Sequence, residues 1–517
     1  MSNSIDGLQF PLQSDTQKAS SSETGKAILA EALCIVDNKT SQQLLHEKNW
    51  RKQYPRYFKA LVEHGIRNTS NPITIAKQGL HKAQNSFEFY RDGHCYLLKD
   101  VMEIPAIDQF ETFKFQGQHQ SEPEWYVPYH GQKLQGQSLL TQIQIWEEKG
   151  IIEPSHAKAL REVIDHPEWF DLSDRTMVLF GAGSEAGPLT WLAKWKANII
   201  AIDLPNAKVW QKILTTIQQG NATLYAPALE QLPSNLSIDE IKDKLGANLL
   251  TQIPEIAHWL VQNPHKLDLA AIAYLDGEKH VRVSMAMDSI MQYVSDQKPD
   301  SSLMYMCTPT DVYAVPKEVT EASIQKYQDR SKLQKSVTKG ISSLSLKQMF
   351  KPNQQKLISS DNGKAYGIAD CLVIEQGPNY ALAKRIQQWR ATLARHHGQM
   401  VSINIAPSTT THSVTKNPLL KAAFSGANLF DVEAFLPETT NALMAALWIH
   451  DLKNPKSVAN PHANLEHPLE LIMSGANHGG LWRVAYLART ALPFAALYGL
   501  AKDKLPIEKL FKRKQGS

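Results

Sequence analysis

Cysteine is scarce in this chain. Cys34, Cys95, Cys307 and Cys371 lie far apart and no two form a Cys-x-x-Cys pair, so neither a disulfide framework nor a cysteine-based zinc site is indicated, and a reduced, cytoplasmic setting is expected. Charge of one sign is lacking too. The 55 Lys and Arg against 51 Asp and Glu leave a net +4, which gives no bias toward nucleic acid. Long apolar runs are absent: the apolar stretch 481–501 is interrupted by Arg483, Arg489 and Pro493, too broken for a membrane span. The first 24 residues are polar and Ser-rich without an apolar h-region, which predicts a disordered leader rather than a signal peptide.

At 517 residues the chain exceeds one ordinary core, so two domains are expected. Residues 25–170 carry helical patterns, such as Lys26 to Val36 and Leu139 to Lys149, broken by Pro and Gly. They read as a mainly helical accessory domain, a structural cap or dimerisation element, and a homo-oligomer is expected.

From Thr176 the pattern changes. Thr176 to Phe180 is an apolar run of strand length, followed at once by Gly181-Ala-Gly183-Ser184-Glu185-Ala-Gly187 and a helix-like stretch, Pro188 to Lys196. Glycines are needed where the chain turns tightly and brings backbone N–H groups at a helix N-terminus up to a pyrophosphate. Asn198 to Asp203 reads as a second strand ending in a carboxylate, about 20 residues past the glycines, where such a group binds ribose hydroxyls. Ala222 to Ala226, Leu269 to Gly277, Ser302 to Cys307 and Leu471 to Gly475 read as further strands. The fold class expected is α/β, a doubly wound parallel Rossmann sheet spanning residues 171–480.

Tyr-x-x-x-Lys occurs at Tyr129/Lys133, Tyr313/Lys317, Tyr380/Lys384 and Tyr498/Lys502. Four residues apart on a helix, the two side chains share a face, and the ammonium can lower the phenol pKa so that it exchanges a proton near neutral pH. Only Tyr380 begins a plausible helix, 380–396, that leads into an apolar strand ending at Ala406-Pro407 and a polar loop, Ser408 to Thr411.

This order of glycine loop, acid-ended strand, Thr308-Pro-Thr310 after the fifth strand, and Tyr-Lys helix followed by strand and proline resembles the short-chain dehydrogenase/reductase family. Gly181 and Gly187 stand where that family has the first and last of three glycines, with Glu185 between them. The resemblance implies an oxidoreductase acting on a carbonyl/alcohol pair. Tyr380 would exchange the proton, and Lys384 would tune it and hold the nicotinamide ribose. Thr308 or Thr310 would polarise the oxygen, and Gly181, Gly183, Ser184, Glu185, Gly187, Asp203, Gly277 and Pro407 would hold the dinucleotide. NAD(H) is expected in preference to NADP(H), because Asp203, with Glu185 in the same turn, would repel a 2′-phosphate. No metal is expected: His412 and His478, placed by the resemblance near the pocket mouth, have no partner at ligand spacing.

Between Thr310 and Tyr380 lie roughly seventy residues, so an insertion, about 316–375, must loop out of the sheet. It holds Arg330, Lys332, Lys335, Lys339, Lys347, Lys351 and Lys356 with no acidic residue before Ser360. That stretch would attract the phosphates of a carrier-bound or CoA-bound substrate; its plainer reading is a solvated loop. Residues 481–517 read as a helical lid over the substrate pocket or, with Lys509 to Lys514 behind them, an amphipathic tail on a membrane surface. By analogy the small-molecule substrate would be a hydrophobic carbonyl compound, acyl- or polyketide-like. Two other functions fit the N-terminal motif: an S-adenosylmethionine-dependent methyltransferase and a non-catalytic nucleotide-binding scaffold. A methyl transfer needs neither Tyr380 nor Lys384.

Overall fold

The computed structural model describes residues 6–13, 16–233, 236–353 and 356–504. Its centre is a seven-stranded sheet of β1 (Glu111–Gln116), β2 (Thr176–Phe180), β3 (Asn198–Ile202), β4 (Thr223–Ala228), β5 (Leu267–Ala271), β6 (Ser302–Cys307) and β7 (Val401–Ile405), in the order β7-β6-β5-β2-β3-β4-β1. Strands β2 to β7 are parallel, and β1 closes the β4 edge antiparallel. All residues of β2 and β7 are buried, the apolar-run signature of strands covered on both faces. Along β2, Val178 and Phe180 enter one core, with the Glu278–Gln297 and Gly377–His396 helices, while Met177 and Leu179 enter the other, with the Ala207–Gln218 and Pro437–Lys453 helices. The result is a Rossmann-like α/β architecture. The strand order reverses between β2 and β5, where open α/β sheets build their ligand sites.

Three expectations are corrected. The run Leu471 to Gly475 is not a strand but a helical turn, Glu470–Met473, beside β7. Its apolar residues are buried as a strand's would be, and a short apolar run does not by itself tell the two apart. Gly475 N–H bonds to Ser155 Oγ instead of a ladder partner. Second, the polar leader is structured in part: Gly7–Gln9 pairs antiparallel with Glu88–Arg91, and Leu8 and Phe10 are buried. Residues 1–5 lie outside the described residues, as does the basic stretch Lys509 to Lys514. Third, the helix expected over Pro188 to Lys196 is a single turn, Leu189–Leu192, after which the chain tightens into three-residue turns, Lys194 N–H on Trp191 O and Trp195 N–H on Leu192 O, and leaves the helical region at Lys196, φ +54°.

Residues 25–170, expected as a helical accessory unit, supply six helices and also strands, including β1 of the central sheet. The Asn71–Gln84 helix packs on the Gly377–His396 helix, and Pro154–Asp165 packs on Pro437–Lys453. Residues 316–375 stand outside the central sheet. They comprise the Lys317–Gln328 and Lys332–Leu344 helices and two strands, Ile358–Ser359 and Ala365–Asp370, which join Val312–Val315 in a small antiparallel sheet.

Candidate active site

The glycine loop leaves β2 at Gly181, whose φ of +87° and a Cβ that would fall 2.5 Å from Ala273 Cα leave room for no side chain. At Gly183 a Cβ would sit 2.7 Å from Val209 Cγ1. Asp203, one residue past β3, turns toward this loop. Its Oδ2 accepts the Gly183 N–H at 2.8 Å and its Oδ1 the Leu204 N–H at 2.8 Å. Burial raises its carboxyl above the ordinary range, opposed by those two N–H groups. Each carboxylate oxygen keeps acceptor capacity for a hydroxyl. Ser184, Gly277 and Pro407 line the same cavity, with Gly277 at φ +64° leading into the Glu278–Gln297 helix. Gly187 closes the loop, its N–H on Ser184 O at 3.2 Å. Glu185 lines the cavity too and is tied down on its other side: its carboxylate accepts the His412 N–H at 2.8 Å, and its carbonyl accepts Asn441 Nδ2 at 3.0 Å. Its charge therefore ties the glycine loop to the segment after β7.

The proton-transfer candidates come from two elements. Thr308 and Thr310 follow β6, their hydroxyls 2.9 Å apart. Tyr380 and Lys384 lie one turn apart in the Gly377–His396 helix. The Thr308 hydroxyl lies on the Tyr380 phenol's side of the site, where it favours the phenolate, and all four residues line one cavity with the glycine loop. The gap in sequence is bridged by Asp311, wholly buried beside Thr310, which accepts Arg385 Nη2 at 3.1 Å and Gln388 Nε2 at 2.9 Å. Arg385 adjoins Lys384, so this buried ion pair locks the hydroxyl loop to the tyrosine helix.

Electrostatics differ from the expectation. Burial pushes the Tyr380 phenol up to about 12, with the nearby Thr308 hydroxyl opposing. Lys384 Nζ donates to Met306 O at 3.0 Å and Gln387 Oε1 at 3.2 Å, and burial lowers its pKa. The phenol is therefore a proton donor at neutral pH rather than a standing base.

Sequence reasoning missed His280. It is buried, stacks on Tyr380 with centroids 5.4 Å apart and planes at 22°, and neither ring nitrogen has a hydrogen-bond partner among the described residues. Burial, aided by the Lys384 charge, lowers its pKa well below the ordinary value, so the imidazole is neutral. Its signal was faint, a histidine in the first turn after Gly277. Asp311 and Arg385 were also missed, although each directly follows a singled-out residue. His478, expected near the pocket mouth, is buried on Trp482 with Nε2 at 2.8 Å from Glu153.

The cavity measures about 1180 Å³, above the ~300–1,000 Å³ of ordinary ligand pockets, which leaves room for two ligands. One end is polar, with the glycine loop, Asp203 and the Thr/Tyr/Lys group. The other is apolar, walled by Leu420 and Phe424 of the Pro418–Ser425 helix, Phe430, Tyr486, and Leu492 of the Ala488–Lys504 helix.

Comparison with known proteins adds little. No protein-family model matches the chain, and no curated protein matches it. Among solved structures it is similar to the terminal R domain from the myxalamid PKS-NRPS biosynthetic pathway, at 12% identity and a TM-score of 0.30, over 55% of this chain and 69% of that one. A likeness this weak leaves the functional reading to the site itself.

Proposed function

We propose that the protein is an NAD(P)-dependent oxidoreductase that interconverts a hydrophobic carbonyl compound and its alcohol, with NAD(H) favoured over NADP(H). The observation that carries this reading is the convergence of Thr308, Tyr380 and Lys384 on one cavity with the Gly181–Gly187 loop and Asp203. The loop and acid suit a dinucleotide, since Gly181, Gly183 and Ser184 line the cavity beside Asp203, and Asp203 keeps free lone pairs for ribose hydroxyls. The bound nicotinamide would supply the hydride.

The residues then divide the remaining work. The Thr308 hydroxyl orients the substrate oxygen and the Tyr380 phenol, whose high pKa keeps it protonated, donates a proton to that oxygen during reduction. Lys384, fixed by Met306 O and Gln387, provides a positive charge beside the phenolate left behind. The apolar end would receive the rest of the substrate.

The test is fluorescence titration of NADH and NADPH, followed by turnover of long-chain ketones or acyl thioesters with Tyr380→Phe as control. Tyr380→Phe should bind cofactor but lose turnover by about 10² to 10⁴. Failure of both dinucleotides to bind, or binding of S-adenosylmethionine in their place, would refute the proposal.

A further inference from the structure

The Lys332–Leu344 helix contains no buried residue. Leu333, Val337 and Leu344 are 74%, 50% and 89% exposed, and their spacing puts them on one stripe. A helix on an aqueous surface turns such a stripe inward. Here only one edge of the stripe is turned in: Ile341, one turn from Val337, packs against the Phe350–Tyr486–Ala491 cluster, and on the flank beside it Thr338 Oγ1 accepts Arg330 Nη1 at 3.2 Å. The helix is also firmly started, by Ser331 and Gln334 capping each other reciprocally. The apolar stripe is thus held outward by anchored neighbours.

Its charge is one-sided. Lys332, Lys335, Lys339, Lys347 and Lys351 have no carboxylate within ion-pair distance among the described residues, and no Asp or Glu occurs between Arg330 and Ser360. The position is informative as well. Tyr486 and Ala491, which support this helix, also line the apolar end of the cavity.

We propose that the Lys332–Leu344 helix docks the protein on an anionic lipid bilayer, with its Leu/Val stripe in the interface and its lysines on the headgroups, beside the apolar end of the cavity. Exposed leucines with lysines and no buried polar pocket suit a fluid anionic surface better than one defined phosphate. A second copy would bring lysine against lysine. Among the described residues no helix is long and apolar enough to cross a membrane, so the contact is one of lying on the surface. The inference is independent of the chemistry proposed for the cavity.

The experiment is co-sedimentation of the full chain with vesicles of phosphatidylcholine alone or mixed with phosphatidylserine, at low and high salt. We expect binding to the phosphatidylserine vesicles that weakens with salt. It should fall at least about tenfold in Lys332→Glu/Lys335→Glu/Lys339→Glu and likewise in Leu333→Ser/Val337→Ser/Leu344→Ser. Both sets lie at exposed positions, and unchanged melting temperatures will show that they fold. Absent binding by the native chain, binding unchanged in either variant, or a serine variant that merely shifts the chain from dimer to monomer in gel filtration would each overturn the proposal.

Discussion

Replacing Glu153 by Gln should remove a pH-dependent share of the fold's stability. Glu153 is 4% exposed at the start of the Pro154–Asp165 helix. It accepts Arg483 Nε at 2.8 Å and Nη2 at 2.7 Å, and His478 Nε2 at 2.8 Å. Because His478 Nδ1 takes the Gly480 N–H, its proton sits on Nε2, and burial keeps the ring neutral at pH 7. Arg483 therefore supplies the balancing charge. Burial alone would raise the Glu153 carboxyl, yet these hydrogen bonds hold it at about 2 against an ordinary 4.5, a difference worth roughly 3 kcal/mol. The folded value is the depressed one, so the stabilisation is complete above the unfolded value and is lost as pH falls from 4.5 toward 2. Unfolding of native and Glu153→Gln protein should differ by roughly 3 kcal/mol at pH 7 and by roughly 1 kcal/mol at pH 3. Denaturant melts across that range measure it. A gap that stays constant with pH would refute the argument and reduce Glu153 to a packing residue.

Cofactor titration should show NADH bound more tightly than NADPH, and Asp203→Asn should narrow the difference; tighter NADPH binding by the native protein would contradict the role given to Asp203. Reductive turnover should be flat from about pH 6 to 9 while the oxidative direction climbs with pH, because the phenol at about 12 is protonated throughout; stopped assays in both directions decide this. Gly79→Ala should lower the melting temperature although alanine favours helix, since a Cβ there would lie 2.4 Å from the Trp389 ring, an overpacking that costs about 1–3 kcal/mol. Asp311→Asn should reduce turnover more than cofactor affinity, because it loosens the join between the hydroxyl loop and the Tyr380 helix while leaving the glycine loop untouched.

The strands that carry the site were legible because each is a short apolar run ending in a residue with a physical reason to be there: Gly181 after β2, Asp203 after β3, Thr308 after β6. Among the four Tyr-x-x-x-Lys pairs, context alone singled out Tyr380. The structure shows why the others differ, since Tyr313 lies in a strand with its hydroxyl on Thr308 O, and Tyr129 bonds to Glu433. What stayed hidden was set by tertiary contact. No local pattern separates a buried helical turn at Leu471 from a strand, and nothing in the polar leader announces that Leu8 will be buried and Leu8 O will accept Arg282 Nε. The direction of the Tyr380 shift was misjudged for the same reason, because burial, which the sequence does not show, outweighs the neighbouring ammonium.

Asp311 also closes the neck of the long excursion that separates the two halves of the site. Its carbonyl accepts the Cys371 N–H at 3.0 Å, and Val312 pairs with Asp370 in the next step of the ladder. The two ends of the excursion are thus clipped together before the chain wanders off, so the reacting groups are insulated from whatever lies beyond the clip. Beyond the clip, the Lys332–Leu344 helix, which contributes no buried residue, is the part free to change its surface without moving Thr308 relative to Tyr380, whereas Val319 and Ile358 on either side of it belong to the core.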